Sequence, residues 1–129
     1  MKKIPIRPGS KLAQEFWERG KSASCPVYDM HGHMGVWKGI AFPCAAPERM
    51  IWNMDKAGVK LICFSHHWAL FSAEMGNDPA IEAVRKYPDR MRAYMGINPH
   101  YPDLTARDLA RFDACRDVFI GLKFLADYH

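Results

Sequence analysis

A chain of 129 residues with 49% hydrophobic side chains can bury the core of one ordinary domain. Its 18 basic and 14 acidic residues give a formal charge of +4, spread along the chain with no Lys/Arg stripe, which argues against nucleic-acid binding. No apolar h-region follows "MKKIPIRPGS" and no apolar run is long enough to span a bilayer, so the expected location is cytoplasmic and no membrane partner is expected.

In chain order, Ser10 suits the cap of a helix over 11–19 that ends at Gly20; residues 1–25 read as an N-terminal helix and lead-in. "PVYDM" (26–30) is the first β-leaning run. "PERMIWNMDKAG" starts a helix at Pro47, a residue suited to the first turn, and stops at Gly58; Met50, Ile51, Met54 and Ala57 form its apolar stripe. "VKLICFS" (59–65) is the second strand, and "SHHW" (65–68) reads as a polar loop with a surface imidazole. "DPAIEAVRKYP" takes Asp78 as its cap and buries Ile81, Val84 and Tyr87 before Pro88. "MRAYMGI" (91–97) is the third strand. A helix over 103–115 follows, capped by Asp103 or Thr105, with Leu109 and Phe112 inward; "VFIGLKF" (118–124) is the fourth strand. The four cysteines, Cys25, Cys44, Cys63 and Cys115, form no CxxC pair and read as reduced thiols.

Strands alternating with helices imply parallel βαβ units. A closed (β/α)8 barrel needs roughly 250 residues, and no helix follows the fourth strand here. The expected fold is therefore α/β: a partial (β/α)8 TIM barrel holding about the first four βα units, with residues 1–129 as the N-terminal half of one barrel domain. Two open edges, at "PVYDM" and "VFIGLKF", would invite self-association, a homodimer included.

"VYDMHGH" (27–33) carries the chemistry. Asp29, His31 and His33 alternate, so on a regular strand all three would leave the same face. The C-terminal ends of parallel strands carry the sites of α/β folds. Imidazole suits zinc and other divalent metals, so His31 and His33 are candidate ligands. Asp29, one pleat deeper, is expected to hold a histidine tautomer from the second shell of such a site. The competing reading is a strand end with two exposed histidines. Trp37, His66, His67, Lys123 and His129 are candidate pocket residues, with Trp68 and Phe71 as further wall aromatics and His100 and Asp127 nearby on loops. Lys123 is an unusual charge in a strand; the expectation is a lysine paired with a carboxylate from a further strand.

Taken in order, "VYDMHGHMG", "MDKAGVKLICFS", "KYPDRMRAYMGINP" and "FIGLKFLADYH" resemble the amidohydrolase superfamily. The most similar branch is the amidohydrolase-related group that includes aminocarboxymuconate-semialdehyde decarboxylase. The resemblance runs from about Pro26 to His129. It implies a metal-dependent TIM barrel in which His31 and His33 are the paired ligands of the first strand. The implied cofactor is a divalent metal, zinc first. The implied activity is a hydrolase or decarboxylase acting on C–N, C–O or carboxylate C–C bonds of a small organic substrate. The family's remaining ligands lie on later strands, so this chain alone is expected to be inactive and its general base is unassigned. Two other readings stay open: a TatD-like or histidinol-phosphatase-like metal phosphoesterase or nuclease, and a non-catalytic half-barrel interaction module.

Overall fold

The computed structural model describes residues 9–39, 41, 45–72 and 76–127. Its elements are helix α1 (Lys11–Arg19), strand β1 (Val27–Met34), helix α2 (Pro47–Ala57), strand β2 (Val59–His66), a short helix α3 (His67–Phe71), helix α4 (Asp78–Lys86), strand β3 (Met91–Gly96), helix α5 (Pro102–Ala110), a 3-10 turn (Asp113–Cys115) and strand β4 (Phe119–Lys123). The strands form one four-stranded sheet in the order β1-β2-β3-β4, and every pair is parallel. The four parallel strands read from the sequence are therefore present in sequence order, with helices between them, as in a partial βα repeat. Among the described residues no helix is long and apolar enough to cross a membrane.

Local chemistry explains the element ends. Ser10 accepts the Ala13 N–H at the start of α1, and Gly20 ends it with φ 71°, a left-handed conformation that glycine adopts without a Cβ penalty. Pro47 opens α2 and Gly58 closes it. The α4 cap is Asn77, one residue before the predicted Asp78, which becomes the first helical residue. The predicted helix over 103–115 splits: α5 ends at Ala110 and a 3-10 turn follows. Leu109, expected inward, is exposed, and Asp108 is buried in its place. The reason is polar: Asp108 is drawn in by Asn77 and by the guanidinium groups of Arg107 and Arg111.

One face of the sheet packs on the helices. Ile62, Phe64, Met91, Ala93 and Phe119 meet Met50 and Met54 of α2 and Ala80, Ala83 and Val84 of α4. Each such large side chain stabilises the fold by about 1.5–3 kcal/mol when fully buried. Ala57, expected in the α2 stripe, is exposed. The sheet's outer strands are less covered. Tyr28 and Met30 on β1, Ile120 and Leu122 on β4, and Phe124 beyond it are exposed, as the open-edge reading anticipated.

The other face is concave. Flat parallel strands lie about 4.8 Å apart, so perpendicular side chains on β1 and β4 would stand some ~14 Å from each other. Here they meet. The Tyr94 hydroxyl of β3 donates to the Met30 carbonyl of β1 at 3.2 Å, and Lys123 of β4 reaches His31 of β1. Curling of the sheet brings its two ends over one hollow.

Candidate functional site

The hollow is built around an irregularity in β1. Asp29 pairs with Ile62 and Gly32 with Phe64, so three steps on β1 match two on β2. This bulge inserts one residue and turns the side chains that follow. Partnered residues of parallel strands leave the same face. Asp29 thus shares the helix-covered face with Ile62, whereas His33 pairs with Ser65 on the concave face. The alternation rule, which placed Asp29, His31 and His33 on one face, fails at the bulge. Gly32 allows the close approach: a Cβ there would meet Ile62 Cδ1 at 2.5 Å.

Asp29 does not hold an imidazole. Its carboxylate accepts the His31 backbone N–H at 3.0 Å and fixes the bulge. Its effect on the histidines is exerted through the backbone.

His31, His33 and His67 form a run of rings. Centroids lie 5.1 Å apart for His31 and His33, and 5.0 Å for His33 and His67, the latter pair stacked with 29° between planes. The run continues to Phe71 at 6.0 Å and from Phe71 to Trp37 at 4.9 Å. The "SHHW" stretch is not a surface loop, and neither of its imidazoles is exposed. His66 ends β2 and His67 begins α3, with exposures of 4% and 2%. His66 Nδ1 accepts the Trp68 N–H as the helix cap. His67 Nδ1 lies 2.7 Å from the Gly35 carbonyl. A carbonyl only accepts, so the proton sits on Nδ1 and the ring is tied to the segment after β1.

Burial sets the electrostatics. His33 is pushed down to about 4, first by desolvation and then by the nearby Lys123, His67 and His31. His66 is pushed down to about 4 for the same leading reason, with His67 adding to it. Both imidazoles are therefore neutral at pH 7 and keep a lone pair. Burial also lowers the Lys123 ammonium below its ordinary range. Among the described residues, the buried Nδ1 of His33 and the Ser65 hydroxyl have no hydrogen-bond partner.

Lys123 has a partner, though not the predicted carboxylate. Its Nζ lies 2.8 Å from His31 Nε2. An ammonium only donates, so His31 Nε2 accepts and its own proton is left on Nδ1.

Openings lie beside these groups. One, of about 450 Å³, runs along the free edge of β1 beside α2 and is lined by Asp29, His31, His33, Met50 and Met54. Another, about 470 Å³, lies beyond the strand ends and is walled by Val36, Trp37, Lys38 and Trp68. The Trp68 indole donates to the Val36 carbonyl at 2.9 Å and holds that wall. Trp37 and Trp68 line this opening. His100 is exposed on the loop after β3, its backbone N–H bound to Asn98, and Asp127 is exposed. His129 and Cys44 lie outside the described residues; Cys25, Cys63 and Cys115 carry free thiols.

Sequence reasoning missed the two asparagines that hold the loops around the hollow. Asn98 donates to the Leu70 carbonyl of α3 at 2.8 Å, and Asn77 brackets the Gly96 peptide. Asn77 stands directly before a helix and two residues before Pro79, and Asn98 directly precedes Pro99; that punctuation is the only signal the sequence offers.

Gly35 is as constrained as the histidines. Its φ is 88°, and a Cβ there would lie 2.5 Å from the His66 ring. Gly35→Ala should therefore lower stability by about 2 kcal/mol, combining left-handed strain with a clash on a buried ring. Chemical denaturation read by far-UV circular dichroism checks this, and an unchanged midpoint would contradict it. No known protein family, curated protein or solved structure matches the chain.

Proposed function

We propose that the chain supplies the first-strand part of a metal-dependent hydrolase or decarboxylase site on a (β/α)8-type scaffold, acting on a small organic substrate. The observation that carries this reading is the convergence of His31 and His33 at the end of a parallel β1, with the His33 ring neutral and its Nδ1 buried and unpartnered among the described residues. The four sequence-ordered parallel units and the ordered motifs resembling the amidohydrolase superfamily support it.

Among the described residues no group of three or more His, Cys, Asp or Glu side chains is arranged to hold a metal ion. His33 would offer a divalent ion a neutral nitrogen, and His31 would offer a second once its Nε2 lone pair is released from Lys123. Bound there, such an ion would supply Lewis acidity and an activated water. The chain's own residues do the rest. The bulge that Asp29 fixes turns His31 toward the hollow. His67 stacks on His33 and ties it to the Gly35 segment. Trp37 and Trp68 wall the opening beyond the strand ends, and Phe71 stacks on Trp37.

Two ligands fall short of the three protein ligands of a catalytic zinc site, so zinc should bind weakly. Calorimetric titration of zinc into the wild type, His31→Ala and His33→Ala tests the reading. Each variant should lose affinity by ~10-fold or more, since even residues that only support a ligand contribute that much. Three superimposable isotherms would refute the metal site.

A further inference from the structure

We propose that two copies of this chain close into one eight-stranded parallel barrel, β4 of each copy pairing with β1 of the other about a two-fold axis along the barrel. This goes beyond the metal reading and does not rest on it, because it concerns only backbone edges and apolar side chains.

The sheet supplies the first argument. Among the described residues nothing pairs with the outer edge of β1 or of β4. Such a row of unpaired N–H and C=O groups is a template for another strand. All four strands run in one direction, so the β4 edge can accept β1 of a second copy in the parallel sense the sheet already uses. The sheet is also bent to suit. Its first and fourth strands meet through His31 and Lys123 across the concave face. Contact of that kind belongs to a small barrel, since eight strands leave an interior just wide enough for side chains to fill. Four strands make half of that ring. A two-fold operation supplies the other half and closes both seams at once, leaving no free edge.

Helix α1 is the second, independent argument. Leu12 and Phe16 lie one turn apart, Trp17 adjoins them, and the three are 47%, 57% and 55% exposed. No residue of α1 is buried, although the Glu15 carboxylate accepts from Ser22, Ala23 and Ser24 and fixes the helix to the turn before β1. In a parallel α/β repeat the helix before a strand covers the seam between that strand and its predecessor. Among the described residues β1 has no predecessor, so α1 has no seam to cover. The far edge has the opposite lack. Leu122 pairs with the buried Met95 and so shares the helix-covered face, yet it is 50% exposed, and Phe124 beyond it is 62% exposed. One chain thus carries a helix without a seam and a strand without a helix, and docking β4 of one copy beside β1 of the other joins them. The area suffices. With Tyr28, Met30 and Ile120, each copy leaves eight large apolar side chains about half exposed at these edges. Side chains of this size bury about 150 Å² or more, which gives roughly 600 Å² per copy before the strand edges themselves, close to the ~800 Å² per partner of a stable interface.

Analytical ultracentrifugation in chelator tests this, the chelator removing any dimer bridged by metal. The wild type should sediment as a dimer of the 14.8 kDa chain and grow no further with concentration, because the closed ring uses both edges. Phe16→Glu and Leu122→Glu each change a half-exposed side chain. Shown folded by far-UV circular dichroism, each should raise the dimer dissociation constant ~100-fold or more, since symmetry places each lesion in both seams. A wild type that is monomeric at every concentration overturns the proposal without recourse to any variant, and leaves these faces to a different partner. A mass that keeps rising overturns it too, because that is an open head-to-tail chain. A dimer that either folded variant leaves intact overturns it as well, because such a dimer does not join α1 and β4.

Discussion

Replacing Asn77 with leucine should lower the stability of the fold by about 3–5 kcal/mol, the combined effect of leaving several buried polar groups unpaired. Asn77 is 1% exposed, and its amide treats Gly96 as a neighbouring strand would. Its Oδ1 accepts the Gly96 N–H at 2.7 Å, and its Nδ2 donates to the Gly96 carbonyl at 3.0 Å. The same Nδ2 donates to Asp108 Oδ2 at 2.6 Å. Leucine has similar volume and none of these bonds. Both polar groups of the last β3 peptide would be orphaned, and the buried Asp108 carboxylate would keep only its arginines. Asn77→Asp should do little better, because it sets a second carboxylate against Asp108. Urea denaturation of the three proteins checks this; a loss under about 1 kcal/mol for Asn77→Leu, the net worth of a single ordinary hydrogen bond, would show that the bracket is dispensable.

That network shows where a sequence stops being legible. The four strands and the helices between them follow from apolar runs, Pro and Gly punctuation and the period of the stripes, all local signals. The edges β1 and β4 follow from the same order. Asn77 gave no such signal, since its partners Gly96 and Asp108 are 19 and 31 residues away. Once Asp108 is drawn inward by those partners, α5 rotates away from the Leu109 face that periodicity favoured.

The candidate site divides in the same way. The convergence of His31 and His33 is legible because the two residues flank Gly32 on one strand, a local relation that survives the bulge before them. The role of Asp29 was not, because strict alternation holds only for an unbroken ladder, and the bulge at Asp29/Gly32 depends on the pairing with β2. Imidazole is polar on average, so sequence alone favours a polar loop for the His66–His67 pair. In place, one ring caps α3 and the other stacks on His33, and both needs are met by burying them. For Lys123 the sequence showed the anomaly and misjudged the partner, because β1 lies 92 residues away in the chain and only the curl of the sheet brings it near.

Those buried imidazoles make the fold acid-sensitive well above the carboxylate range. His66 has an ordinary value of 6.5 and is held at about 4 in the folded protein by burial. Above pH 6.5 it is neutral in both the folded and the unfolded chain, and contributes no pH dependence. Below 6.5 the unfolded chain takes up a proton that the folded ring refuses. Stability must then fall as pH drops from about 6.5 to about 4, and level off once the folded ring is also protonated. The gap is worth about 3 kcal/mol at most. Protonation also places a proton on Nδ1, the atom that accepts the Trp68 N–H, so the α3 cap is lost in the same step. His33 shifts in the same direction and adds to the slope. Denaturant midpoints measured from pH 8 to pH 4 should decline in the wild type most steeply between pH 6.5 and 4.5. In His66→Asn, which keeps a capping oxygen but does not titrate, the decline should be shallower by the His66 share. Parallel curves for the two proteins would mean that the acid response comes from elsewhere, and that the His66 ring is solvated enough to titrate as it does in the unfolded chain.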